Sequence, residues 1–159
     1  IMLYVMNQFK DLRYGVSAIL AMLHDTFVLF CAFALLGVLY NVEIDALFVT
    51  AVLTTLSFSV HDTIVTFDRI REIRKKEPNI TIKEASNKAV LQTLSRSLNN
   101  SLTIIIMLAT LVLLGGTTLR WFAVALLVGS ITGTYSSTFT AIPLLLLWDD
   151  VAKRWSKGK

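Results

Sequence analysis

The chain has 159 residues, of which 55% are hydrophobic and only 16% are charged. An ordinary soluble domain carries about 25% charged residues. The composition of this chain therefore excludes an ordinary soluble domain and indicates a membrane protein. The net charge of +4 is modest, and the single cysteine, Cys31, excludes a disulfide framework.

Long apolar runs divide the chain into predicted membrane spans. A spanning helix needs about 20 mostly apolar residues, and such runs lie at 16–39, 46–67, 98–114 and 121–148. A shorter run at 1–9 is typical of the end of a cut helix, so we expect an N-terminal part of the protein to be missing before it. The predicted fold is an all-α membrane protein, one polytopic transmembrane helix bundle over 1–159, with four full spans plus the end of a fifth.

The connections between these spans alternate in charge. Of the 15 Lys and Arg residues, 14 fall in the connection after residue 9, in the connector 68–96 and in the tail 149–159. The other two connections hold only Glu43, Asp45 and Arg120 as charged residues. Because basic connections tend to stay in the cytoplasm, we predict that the basic loops and the C-terminus are cytoplasmic.

The basic connector 68–96 contains a helical signal of its own. Apolar residues recur at helical spacing over 81–95, with Thr81 at the N-cap and Glu84 at the matching capping-box position. We predict an amphipathic helix on the cytoplasmic surface. It either lies on anionic membrane lipid or presents a docking surface to a partner.

The predicted span 46–67 carries a polar stripe. Polar groups inside lipid are costly and persist where they face a bundle interior or do chemistry. Asp62 lies about 9 Å along the helix from Asp68, too deep for its short side chain to reach the surface easily. One face of this helix carries Thr55, Ser59, Asp62, Thr66 and Arg69.

Asp62 is the first candidate for proton coupling, with Arg96 as its candidate counter-ion. Burial raises the pKa of a carboxyl group in general and a nearby cation lowers it, so an acid placed like this can take and release a proton. Arg96 stands just before the span 98–114, toward the same side of the membrane. A pair that forms and breaks would be a protonation-linked switch. The alternatives are a permanent pair that fixes helix packing and an Arg96 that only anchors in headgroups.

Three more polar residues at membrane depth are candidates for the proton route. His61 could relay protons because imidazole titrates near physiological pH, but it points about 100° away from Asp62, which favours an interfacial histidine. His24 and Asp25 lie near the middle of the span 16–39. Asp25 is either a second proton site or a hydrogen-bonding strut between helices.

The span 121–148 is rich in small and hydroxyl residues. Gly129 and Gly133 have the GxxxG spacing, and Ser136 and Ser137 follow within one turn. Small residues let membrane helices approach closely and hydroxyls bond across the contact. These four residues are therefore predicted to pack helices, and lining a conduction path remains the alternative.

The sequence shows no metal-spaced Cys and His cluster and no phosphate-binding glycine loop. We therefore expect no catalytic residue, no cofactor and no bound nucleic acid. An ion gradient is the expected energy source, and the coupling ion is H⁺, with Na⁺ left open.

The run from Ser59 to Glu72, SVHDTIVTFDRIRE, closely resembles SecF proteins of the SecD/SecF family. The resemblance continues through Leu23-His24-Asp25, Thr93-Leu-Ser-Arg96, Gly115-Gly116 and Gly133-Thr-Tyr-Ser-Ser137, and covers nearly the whole chain. The related SecD subunit usually has Asp-Ala-Asn where this chain has Asp62-Thr63-Ile64. Many family members have Asn at the position of His61, which is a departure that bears on the proton route.

The resemblance implies half of a transporter of the resistance-nodulation-division superfamily in the bacterial inner membrane. It implies a first helix and a periplasmic domain ahead of this part, SecD as partner, and the SecYEG channel and SecA motor as co-workers on a preprotein substrate. The intramembrane acid of the family matches Asp62, and the basic residue paired with it resembles Arg96. The implied function is preprotein export driven by proton motive force, without enzymatic activity.

Three other functions are weighed against protein export. A related exporter of lipid or drugs would need a substrate path that the sequence does not display. In a non-conducting scaffold subunit, Asp62 would be only a packing strut. An intramembrane enzyme would need a nucleophile beside an obvious base, and His24 with Asp25 does not supply that pattern.

Overall fold

The computed structural model describes residues 12–157, and side chains over 13–151. Five helices follow one another: α1 Leu12–Tyr40, α2 Ala46–Lys76, α3 Ile82–Leu114, α4 Thr117–Phe139 and α5 Ala141–Lys157. No strand occurs over 12–157. The helix end predicted at 1–9 lies outside the described residues.

Four helical segments within the described range are long and apolar enough to cross a membrane. They are α1, α2, α3 and the combination of α4 with α5 as far as Val151. The prediction of an all-α bundle with four full spans is therefore confirmed.

Local sequence signals account for where the helices begin and end. Asn41 adopts a left-handed conformation (φ 52°) directly after α1, a role that Asn tolerates better than most residues. Asp45 then accepts a 2.8 Å hydrogen bond from the Phe48 N–H and caps α2. The capping box predicted for Thr81 and Glu84 is confirmed at the start of α3.

The helices extend further than the predicted spans. α2 continues past 67 as far as Lys76, and the surface helix predicted at 81–95 runs without a break into the span 98–114 as α3. No Gly or Pro interrupts either segment, so nothing in the backbone forces a helix to stop where the polarity changes.

The last span is divided at Thr140, between α4 and α5. Pro143 follows three residues later. Proline has no N–H to bond the carbonyl four residues earlier, and its ring crowds that carbonyl, so the helix is interrupted one turn before it. The predicted single helix 121–148 is therefore two consecutive helices that together make one span.

Two apolar clusters form the core, one toward each end of the bundle. We call the end with the connection 77–81 the basic end, and the end with the connection 41–45 the acidic end. The cluster toward the acidic end contains Leu29, Phe33, Phe48, Ala51, Val52 and Ala125. The cluster toward the basic end includes Tyr14, Phe67, Ile70, Ala85, Ile142 and Leu145.

A polar layer lies between these two clusters, and we define it by its buried members Asp25, Thr55, Ser59, Ser130, Ser136 and Ser137. These residues come from α1, α2 and α4, with α4 packed closely against α2. The outer surface of the bundle carries many large apolar side chains, as a membrane protein requires. The fold thus concentrates hydroxyl and carboxyl groups in the middle of an otherwise apolar bundle.

Candidate functional site

Asp25 of α1 is the acid of the polar layer, with 7% of its surface exposed. Ser136 of α4 donates a 2.6 Å hydrogen bond to Asp25 Oδ2, and Ser59 of α2 donates to the same oxygen. His24 Nδ1 lies 3.2 Å from Asp25 Oδ1. Buried polar groups need such partners, so Asp25 ties three helices together through its carboxylate.

Two glycines on α4 let the helices come close enough for these contacts. A Cβ added at Gly129 would lie 2.3 Å from Thr55 Cγ2, well inside contact distance. A Cβ at Gly133 would lie 3.2 Å from Ser59 Cβ. The GxxxG spacing of α4 therefore faces α2, where small residues permit close backbone approach. This approach brings Ser59 to the carboxylate that Ser136 also contacts.

Asp62 of α2 forms a second carboxylate site, closer to the basic end. Ser97 of α3 donates a 2.8 Å hydrogen bond to Asp62 Oδ1. Ser137 of α4 donates a 3.2 Å bond to Asp62 Oδ2. Asp62 is half-buried, and each of its oxygens is bound by a hydroxyl from a different helix. It therefore connects α2, α3 and α4.

Arg96 lies outside this site. Its side chain is exposed, and over the described residues no hydrogen bond or ion pair joins it to Asp62. Consecutive residues of a helix point about 100° apart, so when Ser97 faces Asp62, Arg96 faces elsewhere. The predicted Asp62–Arg96 pair is not formed in this conformation. Its formation in another conformation stays a prediction.

Arg96 instead lines an open cleft of about 390 Å³ between α2 and α3. The cleft also contains Asp68, Arg69 and Glu72, and it lies on the basic-end side of Asp62. Arg69 Nε donates a 2.8 Å bond to Gln92 and also pairs with Glu72. The cleft is thus lined by charges of both signs, next to the helix turn that holds Asp62.

The two histidines are both exposed on the surface of this chain. His24 contacts Asp25, and 42% of its side chain is exposed. His61 lines a small cavity beside Asp62. Within the described residues, no group of three His, Cys, Asp or Glu side chains could hold a metal ion.

A family model described as "Protein export membrane protein SecD/SecF, C-terminal" matches residues 1–151. The chain belongs to the SecD/SecF family. This SecD/SecF chain is 53% identical over 138 residues to the protein translocase subunit SecF of Thermobaculum terrenum, covering 87% of the chain and 44% of that relative. It is 41% identical to the SecF of Synechocystis sp., over 100% of the chain and 49% of the relative.

Solved structures agree with this family assignment. A crystal structure of SecDF in its super-membrane-facing form has a TM-score of 0.89 and 37% sequence identity, over 99% of this chain and 21% of that one. A SecDF crystal structure from Thermus thermophilus has a TM-score of 0.87 and 38% identity, over 94% and 20%. The SecD/SecF chain therefore spans less than half the length of these relatives, and it is a multi-pass membrane protein.

Sequence reasoning about this SecD/SecF chain missed one contributor to the carboxylate sites and one buried acid elsewhere. Ser97, a partner of Asp62, was not singled out. Thr93, Ser97 and Ser101 recur at four-residue spacing on α3, and that polar stripe was the available signal. The buried Asp149 was also missed, although it pairs with Arg13 at 2.8 Å. Its position among charged tail residues gave no sign of burial.

Proposed function

We propose that this chain is the membrane-embedded part of a SecF subunit that uses proton motive force to promote preprotein export. It would lie in the bacterial inner membrane with its basic end in the cytoplasm, and act with SecD, the SecYEG channel and SecA. It would move ions and perform no enzymatic chemistry. The names of its relatives, protein translocase subunits SecF and SecDF, support this proposal.

The observation that carries the proposal is the bonding of Asp62. An ionised carboxylate accepts hydrogen bonds from both Ser97 and Ser137. A protonated carboxyl carries an O–H of its own and is a weaker acceptor on that oxygen, so the bond to one of the two serine hydroxyls is weakened or reversed. Hydrogen bonds to a charged group contribute about 1.5–3 kcal/mol each, so gain or loss of the proton changes the balance of contacts among α2, α3 and α4.

Arg96 is the residue that would make this change of contacts depend on the charge of Asp62. It lies in the cleft on the basic-end side of Asp62, one residue from Ser97. A rotation of α3 about its axis would exchange Ser97 for the long side chain of Arg96 beside the ionised Asp62. Protonation of Asp62 would remove the attraction for Arg96, so that α3 rotates back and Ser97 again lies beside the now neutral carboxyl, where it can also accept the carboxyl O–H. We propose that these two arrangements alternate during proton transfer.

Asp62→Asn in the full-length subunit, co-reconstituted with SecD, SecYEG and SecA, tests the proposal. We expect the gradient-dependent part of preprotein export to be lost and ATP-driven export by SecA to persist. The exposed acid Asp150 offers a matched control, because Asp150→Asn removes one charge outside the bundle. Export that still responds to the gradient in Asp62→Asn, with normal subunit levels, would remove Asp62 from the mechanism.

Proton uptake by the same vesicles separates this function from a scaffold role. A conducting subunit shows Asp62-dependent proton flux when the gradient is applied. A scaffold shows none, even where Asp62→Asn lowers export by weakening the bundle.

A further inference from the structure

Asp25 is a buried acid that the proposed transport step does not use. It lies on α1, whereas Asp62, the acid of that step, lies on α2. Ser59 of α2 and Ser136 of α4 both donate to Asp25 Oδ2, the second of them at 2.6 Å. Both serines are buried, so these contacts lie inside the bundle. Asp25 therefore clamps α2 and α4 to each other from the side of α1.

Each of the two serines stands close to a group of the Asp62 site. Ser59 precedes Asp62 by three residues, so the two side chains lie on the same face of α2. Ser136 is next to Ser137, which donates to Asp62 Oδ2 at 3.2 Å. Neighbouring residues of a helix keep fixed relative positions, about 1.5 Å and 100° apart. Because both helices are held at Asp25, the separation between Asp62 and Ser137 is fixed as well.

The contact between α2 and α4 leaves little freedom at this level of the bundle. A Cβ added at Gly133 would lie 3.2 Å from Ser59 Cβ, and Ser137 is 1% exposed. Closely packed interiors transmit a displacement because they have few voids to absorb it. A change at Asp25 should therefore reach Asp62 through the two helices that Asp25 holds.

We propose that Asp25 is a positioning residue for proton exchange at Asp62. It clamps α2 and α4 so that Ser137 stays within hydrogen-bond distance of the Asp62 carboxylate. In this role Asp25 accepts hydrogen bonds and carries no transported proton. The importance of the clamp for transport rests on the proposed function, whereas the clamp itself does not.

Two substitutions of Asp25 in the full-length SecF–SecD complex separate positioning from proton carriage. Asp25→Asn cannot ionise, yet its amide oxygen can accept from both serines and its NH₂ group can donate to the neutral imidazole of His24. Asp25→Ala removes the acceptor, and Ser136→Ala cuts only the link to α4. Thr132→Val is the matched control, because Thr132 also lies on α4 and donates its hydroxyl to its own backbone at Val128, at 2.9 Å.

Infrared difference spectra between acidic and alkaline conditions show the carboxylate stretch of Asp62, which is assigned by its absence in Asp62→Asn. The frequency of this band depends on the hydrogen bonds that the carboxylate accepts. We expect Asp25→Ala and Ser136→Ala to shift the band in the same direction as Ser137→Ala, which removes the bond itself. Asp25→Asn and Thr132→Val should leave the band in place. An unshifted band in Asp25→Ala overturns the clamp.

Proton flux into reconstituted vesicles tests the role in transport separately. We expect Asp25→Ala to slow Asp62-dependent flux roughly tenfold or more, because small misplacements of a reacting group are costly. Asp25→Asn, whose neutral hydrogen bonds are weaker, should slow it no more than about threefold. Thr132→Val should leave the flux unchanged.

The outcomes of the flux measurement are distinct. A loss of flux in Asp25→Asn as complete as in Asp62→Asn overturns the positioning role, because Asp25 itself would then have to ionise. A shifted band with unchanged flux in Asp25→Ala leaves the clamp standing and overturns its role in transport. Flux that does not depend on Asp62 in the unmodified complex counts against the proposed function, and the infrared result then decides the clamp alone.

Ser136→Ala decides the case in which Asp25→Ala does not fold. This variant deletes one hydroxyl and leaves the Asp25 carboxylate with Ser59 and His24 as partners. A shift of the Asp62 band like that in Ser137→Ala then supports the clamp, and an unshifted band overturns it.

Discussion

Ser136 and Ser137 are consecutive residues on α4, and their hydroxyls donate to two different carboxylates. Ser136 bonds Asp25 at 2.6 Å, and Ser137 bonds Asp62 at 3.2 Å. One turn of α4 therefore contacts an acid of α1 and an acid of α2. A shift of α4 changes both contacts together, which couples the two carboxylate sites mechanically.

Removing the Ser136 hydroxyl should weaken the bundle measurably. Ser136→Ala deletes a bond to a buried carboxylate, and we expect the free energy of unfolding to fall by about 1–2 kcal/mol. Ser57→Ala is the control, since Ser57 is exposed and bonds only its own backbone at Leu53. Denaturant titration of the full-length protein in detergent measures both, and equal changes in the two variants would contradict the role of the Asp25 contact.

The close contact between Gly129 and Thr55 predicts a steric effect. Gly129→Ala places a Cβ 2.3 Å from Thr55 Cγ2 and 2.6 Å from Thr55 Cβ, so α4 must move away from α2. We expect a loss of about 1–3 kcal/mol of unfolding free energy, typical of overpacking. The double variant with Thr55→Gly should recover part of the loss.

Gly116→Ser is the matched control for the glycine prediction. A Cβ at Gly116 meets no atom within 4 Å, and Ser is a favourable residue at this helix N-cap. We expect unchanged or slightly raised stability. A loss as large as that of Gly129→Ala would show that the Gly129 effect does not come from contact with α2.

The ion pair between Arg13 and Asp149 should contribute more than an exposed pair. Asp149 has 4% of its surface exposed, and Arg13 Nη1 lies 2.8 Å from its Oδ1. Arg13→Gln leaves a buried carboxylate without this cation. Because the Arg13 side chain is 40% exposed, we expect a loss of about 1–2 kcal/mol, below the range for fully buried pairs.

The pair between Lys88 and Glu77 supplies the comparison for Arg13. Both side chains are about half exposed, at 50% and 53%. Such surface pairs contribute about 0–1 kcal/mol, so Lys88→Gln should have a small effect that added salt removes. Denaturant titrations at low and high salt would refute the ranking if Lys88→Gln were the more damaging change.

Arg96 is predicted to affect transport without affecting folding. Its side chain is exposed in the cleft, so Arg96→Gln should change the unfolding free energy by no more than about 0.5 kcal/mol. Gradient-dependent export by the reconstituted complex should nevertheless fall, and Arg96→Lys should retain part of it. Full export activity in Arg96→Gln would show that Asp62 has no need of this cation.

Individual residues show which parts of the site were predictable. Asp62, Asp25 and the GxxxG pair stand out in one dimension, because a charge or a glycine within an apolar run is unusual. Ser97 does not stand out, since isolated hydroxyls are common in membrane helices. Its importance comes from its contact with Asp62 on a neighbouring helix, and that contact is not visible along the chain.

The sequence could not predict that Asp25 and Asp62 belong to two separate sites. Both acids sit in apolar helices, and periodicity gives only the face on which each lies. The approach of α4 to α2 at Gly129 decides that Ser59 and Ser136 meet Asp25, while Ser137 meets Asp62. The predicted Asp62–Arg96 pair is open here for the same reason, because the rotation of α3 selects Ser97.

The number of membrane spans, the capping box at Thr81 and the family all followed from the order of residues, because each depends on local hydropathy or motif. The partners of each carboxylate, the burial of Asp149 and the open cleft at Arg96 appeared only in the folded bundle. Those features depend on how helices rotate and approach one another, and that is a property of three-dimensional packing that local sequence does not encode by itself.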